Sequence, residues 1–283
     1  MRKYWMACMV PLLGAWSAVS ADEISFGVLR AQPGQKIHLE SRVVAAGGTI
    51  EREVEGGVEK GEIGFTRTRD LTWTFRAPAA DGTRRGMVNI KSMNTETTVR
   101  MAGRDERIED PSPLNGRMIS MSKSPAGDWV FELDGSLKTL RIEREVEELT
   151  RYLKRKWYPE HPVKMGDSWE FDPVWLKATI EKDLQSAQTI GTMRLRQIRH
   201  SAEGRTALIS ISVESTGGDF RADGTEASAH LALKGEVSVD LETMLEKQLT
   251  LSGTIATRSG TVGRFVTTRV PIELTITKKF VRD

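Results

Sequence analysis

The chain has almost no cysteine. Cys8 is the only one in 283 residues, and it lies inside an N-terminal stretch that reads as a leader. MRKYWMACMVPLLGAWSAVSA opens on Arg2 and Lys3, continues through a short apolar core from Met6 to Trp16, and ends with Val19 and Ala21 where a signal peptidase reads small residues. This pattern predicts cleavage after Ala21 and a periplasmic or secreted protein. The apolar core falls short of the roughly 20 residues that span a bilayer. Charged residues interrupt every later run, so no membrane span is expected after cleavage. A lipoprotein cysteine would stand at the end of the apolar region behind a Leu, whereas Cys8 comes early and follows Trp5-Met6-Ala7. An exported fold without disulfides must rest on its core, and about 260 residues suffice for that.

A charge excess is also lacking. Two of the 41 basic residues, Arg2 and Lys3, belong to the leader, and the remainder equals the 39 acidic ones. A nucleic-acid partner would require a basic surplus or stripe. Arg84-Arg85 and Lys154-Arg155-Lys156 are short and read as answered by nearby acids.

What is present is alternation. Period-two patterns mark half-buried strands in KIHLESRVV, FTRTRDLTWTFRA, GMVNIKSM, TTVRMAG and DWVFELDG, with PAADGTRRG, EDPSPLNG and SPAGD as turns. Further on, TIGTMRLRQIR and TALISISVES form a hairpin across HSAEGR, ASAHLALKGEVSVDLE pairs with KQLTLSGTIATRS, and FVTTRVPIELTITKKF closes the chain. One stretch has a helical period instead. Ile142, Val146, Leu149, Leu153 and Trp157 form a stripe, with acids early and bases late, matching the helix dipole. Glu147 and Arg151 are spaced to pair, and Pro159 and Pro162 stop the helix. Such a stripe covers a sheet or meets a partner. DPVWLKATIEKDLQSA, 172–187, is a weaker helical candidate.

PGQKIHLES at 33–41 and MGDSWEFDP at 165–173 share a spacing of Gly, polar residue, and alternating large apolar positions. Each would open a β-module at a glycine turn, although so short a match also arises by chance. The expected organisation is a signal peptide at 1–21, an N-terminal β-module at 22–139, an amphipathic helix at 140–158, and a C-terminal β-module at 159–283. The fold class is mainly β (α+β), with two antiparallel barrel-like or half-barrel modules.

Pro162-Val163-Lys164-Met165-Gly166-Asp167-Ser168-Trp169, followed by the hairpin and LKGEVSVDLETMLEKQLTLSG, resembles an uncharacterised family of exported bacterial β-proteins, a domain of unknown function with a P-V-K-x-G-D-x-W segment. Val239-Asp240-Leu241 stands where that family has Phe-Asp-Leu, and Met244 or Leu245 replaces its turn glycine. The resemblance implies export and a β-rich fold, and it supplies no site.

Candidate chemistry is sparse. His38, His161, His200 and His230 are mutually remote in sequence, without the clustering of a zinc site. His38 and His230 lie on strands, His200 in a turn, and His161 lacks a facing nucleophile. No nucleophile elbow, phosphate loop, dinucleotide fingerprint or EF-hand occurs. Asp167 reads as a turn residue bonded to backbone, with an acid pair to Glu170 or Asp172 as the alternative. No catalytic, metal or cofactor residue is assigned. The remaining signal is apolar. Trp73, Phe75, Trp129, Phe131, Trp169 and Phe171 either fill a core or line a cavity for an apolar ligand. The expected function is an exported non-catalytic binding protein for a lipid or other apolar molecule. The alternatives are an envelope scaffold contacting another protein and, behind it, a carbohydrate hydrolase.

Overall fold

A computed structural model of the chain describes residues 23–123, 129–133, 139–171, 188–220 and 224–281. The leader and the helical candidate at 172–187 lie outside the described residues. The strands are β1 (Lys36–Val54), β2 (Gly57–Arg76), β3 (Arg84–Met101), β4 (Arg104–Pro111), β5 (Met118–Lys123) and β6 (Trp129–Glu132). After helix α1 (Leu140–Lys154) come β7 (Ser168–Phe171), β8 (Gln188–Ser201), β9 (Gly204–Phe220), β10 (Glu226–Asp240), β11 (Glu246–Thr261) and β12 (Arg264–Val281).

The alternation works as expected. In β10, Ala229, Leu231, Leu233, Val237 and Val239 are buried on one face. Among the described residues the chain is mainly β with one helix, in accord with the sequence. Its strands form one antiparallel sheet in the order β6-β5-β3-β2-β1-β12-β11-β10-β9-β8-β7, with β4 attached to β3 off this path. The expected barrel-like modules are therefore halves of a single sheet that does not close. β1 and β12, the first and last strands, pair from Lys36 opposite Val281 to Arg52 opposite Val266. The edge strands β6 and β7 have four residues each, and the segment joining them supplies the reason they do not meet. α1 packs against β6, and the Trp169 indole of β7 donates to the Trp157 carbonyl (2.7 Å), just beyond the helix.

α1 starts at an N-cap. Thr139 is extended, and its hydroxyl accepts from the Ile142 amide at 3.3 Å, satisfying one of the helix's free donors. Ile142, Leu149 and Tyr152 are buried, so the stripe lies against the sheet. Glu147 and Arg151 pair at 2.7 Å. The helix ends before the expected limit, because Arg155 turns to an extended conformation (ψ 133°). Trp157 is still buried, reaching the core from extended backbone.

The two matched turns have the same local structure. Gly34 and Gly166 have φ of 86° and 95°, values open to glycine at little cost. Each glycine amide donates to the neighbouring strand, at Phe75 and Leu195 respectively. In each, the next side chain, Gln35 or Asp167, accepts from the amide three residues earlier, Gln32 or Lys164. The strands they launch differ in place: β1 lies at the sheet's centre and β7 at its edge.

At Gly235 and Gly253, neighbouring backbone comes too close for any side chain. A Cβ at either would lie 1.8 Å from a carbonyl oxygen, of Thr250 or Ala232 respectively. Such glycines mark places where strands bend sharply against each other. Gly253→Ala should therefore cost about 1–3 kcal/mol, the range for forced overpacking, and lower the urea midpoint. Ser252→Ala at the exposed neighbour should stay within about 0.5 kcal/mol of wild type. An unchanged Gly253→Ala midpoint would contradict the close approach.

Candidate functional site

One end of the sheet carries a cavity of about 500 Å³, inside the range of roughly 300–1,000 Å³ for pockets that hold small molecules. Its walls come from Ile37 at the start of β1, Trp73 and Phe75 near the end of β2, Glu246 at the start of β11 and Lys278 near the end of β12. The C-terminal turn of α1 and the residues after it cover it with Tyr152, Leu153, Arg155, Trp157 and Tyr158. Trp129 of β6 adds a further aromatic wall.

The segment before β1 closes one side. Ile24 bridges to Val163 through two backbone bonds of 2.9 Å, Phe26 stacks on Tyr158 (4.6 Å between centroids), and the Arg30 amide donates to the Thr243 carbonyl at 2.8 Å. Residues 27–31 and Pro33 thereby become part of the lining. The Met244 backbone there has φ +58°. Asp240 stabilises the turn, its carboxylate accepting from the amides of Glu242 (3.0 Å) and Thr243 (2.9 Å).

The floor is an ion cluster. The Glu246 carboxylate accepts from the Arg155 guanidinium, from Lys278 Nζ (2.5 Å) and from the Tyr158 hydroxyl (3.0 Å). The Glu246 and Lys278 side chains are 9% and 7% exposed, so these charges meet away from water. A β-bulge makes this possible. Val239 opposes Glu246 while Ser238 opposes Gln248, leaving Lys247 as an extra residue. The added residue shifts the face parity, so Glu246 joins Leu249 on the buried side.

Burial would raise the Glu246 pKa, but the charges of Arg155 and Lys278 outweigh it and hold it down at about 2. Burial likewise disfavours the charge on Arg155, and Glu246 more than compensates, so Arg155 rises above its ordinary value. Tyr158 is pushed well above its ordinary value, first by burial and then by the Glu246 charge. None of these groups is poised to exchange protons near neutrality. The guanidinium also lies 3.9 Å from the Tyr152 ring centroid, a cation–π contact.

Trp73 is 5% exposed and packs edge-on against Tyr152 at 5.6 Å. Its Nε1 is buried and has no hydrogen-bond partner among the described residues.

Of the six aromatic residues singled out from sequence, Trp73, Phe75 and Trp129 meet in this cavity. Phe131 lines a neighbouring hollow of about 390 Å³ between β6 and α1, which Trp129 shares. Trp169 and Phe171 are not among the larger cavity's lining residues: the buried Phe171 ring meets Trp157 edge-on at 5.3 Å, and the half-buried Trp169 packs beside Phe26 at 5.9 Å. Sequence reasoning missed Tyr152, Arg155, Tyr158, Glu246 and Lys278. Periodicity hides Glu246 behind the bulge, and Lys278 stands among exposed cations of the closing strand. Asp167 serves its turn, as its pattern suggested. His38 sits on a strand with its Nε2 2.8 Å from Asp70. A second hollow, between β1, β2, β3 and β4, is lined by charges that already pair with one another, Arg100 with Glu62 and Asp105, and Arg107 with Glu96.

No protein-family model matches the chain, and no curated protein matches it. Among solved structures, one of lipovitellin concerned with lipid–protein interactions is similar at 11% identity and a TM-score of 0.40 over 89% of this chain. The chain spans about a quarter (25%) of that protein's length. DynF from the dynemicin biosynthesis pathway of Micromonospora chersina is similar at 8% identity and a TM-score of 0.20, over 92% of this chain and 86% of that one. Scores this low establish neither a shared fold nor a shared ligand. Among the described residues no helix is long and apolar enough to cross a membrane.

The ion cluster ties stability to pH. Glu246 ionises at about 2 in the folded chain and at its ordinary 4.5 when unfolded, so its contribution is present above pH 4.5 and is lost as the pH falls from 4.5 towards 2. Urea midpoints measured across that window should fall with acidification. Glu246→Gln strands Arg155 and Lys278 as buried cations and should cost about 3–5 kcal/mol at neutral pH. It should also remove that share of the acid dependence. A variant as stable as wild type would contradict the cluster.

Proposed function

We propose that the chain is an exported binding protein, periplasmic or secreted, that holds an apolar ligand in the cavity beneath the end of α1. The observation that carries this reading is the cavity's construction. Trp73, Phe75, Trp129 and Trp157 surround a volume of ligand size, and its one carboxylate, Glu246, is engaged by Arg155 and Lys278. Pockets of that kind take apolar molecules and use a few polar groups for orientation. The leader-like segment at 1–21 supports export.

Two other readings receive less support. A scaffold presenting α1 to a partner needs a free apolar helix face, whereas Ile142, Leu149 and Tyr152 are buried against the chain's own sheet. A hydrolase needs two carboxyls converging in a cleft. The lining of this cavity contains one, Glu246, already paired with two cations.

Leu153 is half-buried on the cavity wall, so Leu153→Trp should fill the space without opening the core. Binding of the neutral fluorescent probe N-phenylnaphthylamine should weaken about tenfold or more in that variant, as expected where a side chain displaces the ligand. Thermal stability should be kept or raised, as cavity filling often does. A wild-type protein that does not bind the probe, or a variant that binds it equally well, would overturn the assignment.

A further inference from the structure

The charges around the cavity bear on the ligand's head. Arg30, Arg76, Arg84, Arg85, Arg155 and Lys278 line it, against one carboxylate, Glu246, which Arg155 and Lys278 already engage. The other four arginines are exposed at its outer side. Arg30 donates to the Glu242 carbonyl at 3.4 Å and Arg76 to the Met87 sulfur at 2.9 Å. Among the described residues, none of the four has an acid within ion-pair distance. Asp81, in the turn between β2 and β3, accepts from the Thr83 amide at 2.9 Å and meets the Arg85 charge only beyond ion-pair distance.

The strand register sharpens this. Arg76 stands directly opposite Arg85, and Arg84 directly opposite Lys123. Like charges placed opposite each other across strands are destabilising, so two such pairs side by side are a cost the isolated chain carries. Side chains alternate along a strand, which puts Arg84 on the same face as the buried Gly86 and Val88, and Lys123 on that of Met121. Lys123 also opposes Trp129, a cavity wall residue. Arg84, a lining residue, and Lys123, outside the lining but paired in register with Arg84 and Trp129, are therefore like charges on the inner face with no acid paired to them among the described residues.

An anion between these side chains would remove the repulsion and gain charge-assisted bonds, for which guanidinium groups are well shaped. We propose that the ligand is a single-chain anionic amphiphile. Its chain lies among Trp73, Phe75, Trp129 and Trp157, and its carboxylate or phosphate head sits at Arg84 and Lys123, with Arg30 nearby. This rests on the apolar-ligand reading above and adds the chemistry of the head. The volume of about 500 Å³ suits one chain and not a whole two-chain lipid.

The test is calorimetric titration of the full chain with palmitate, lysophosphatidate, hexadecanol and hexadecylamine, below their aggregation limits. Palmitate, lysophosphatidate or both should bind about tenfold or more tightly than hexadecanol, and the amine most weakly, as charge-assisted bonds require. Whichever acid binds more tightly identifies the head as carboxylate or phosphate. Added salt should narrow the preference, because the charged groups lie near the surface. Arg84→Gln combined with Lys123→Gln should bring the acids to within a few-fold of hexadecanol, while Arg84→Lys should keep most of the preference. Equal affinity for the acids and hexadecanol in the wild type, or preference for the amine, overturns the head assignment and leaves the apolar cavity standing. Failure of every chain to bind overturns both.

Discussion

Arg155, Glu246 and Lys278 meet where the end of α1 reaches the sheet, and the architecture around them depends on that meeting. A buried carboxylate facing two cations is tolerable only when all three are present, because removing one leaves charge stranded away from water. The cluster joins α1 to β11 and β12 at fixed geometry. The Tyr158 hydroxyl binds the same carboxylate, and Phe26 stacks on Tyr158, so the segment leading into β1 is held to the same point. Helix end, N-terminal segment and two central strands are thus fixed together, and the cavity is the space they enclose. Farther along α1, the pair of Arg69 on β2 with Glu148 (2.5 Å) does the same for the other half of the sheet.

An open sheet with one buried face explains why a cavity forms here. Two short edge strands approach the connection that contains α1, one on the helix and the other on Trp157. Among the described residues one helix, of 15 residues, lies over the inner face, and it is too short to cover a sheet this wide. The gap left at one end, where β1, β2, β11 and β12 begin or finish, is rimmed by aromatic side chains and cations. Apolar walls with an excess of cations at the outer side are complementary to a molecule with the opposite arrangement, a greasy body and an acidic head.

Much of the fold was legible in the sequence because sheet and helix impose different periods. Leu231, Leu233 and Val237 repeat with a period of two, and Ile142, Val146 and Leu149 follow a helical one, so both element types could be read. Glu147 and Arg151 could be paired from spacing alone. Pairing between strands far apart in the chain could not. Nothing in KIHLES announces that it lies beside the final strand, so one continuous sheet was expected as two modules. The same limit governs the site. Trp73, Phe75 and Trp129, which line the cavity, could be singled out because large aromatics on alternating strands are conspicuous. Trp169 and Phe171 look identical in sequence and lie outside that cavity's lining. Glu246 faces inward only because of the bulge at Lys247, and Arg84-Arg85 reads as an ordinary charged pair until the register sets Arg84 against Lys123.

The central claim is that this cavity is built to be occupied, and native mass spectrometry of the protein purified from its own cells, followed by organic extraction, addresses it most directly. The account predicts an added mass near one equivalent per chain, recovered in the extract as an acidic, single-chain apolar molecule and diminished in a Leu153→Trp preparation. A bare chain with nothing extracted, from cells that supply such molecules, would contradict it.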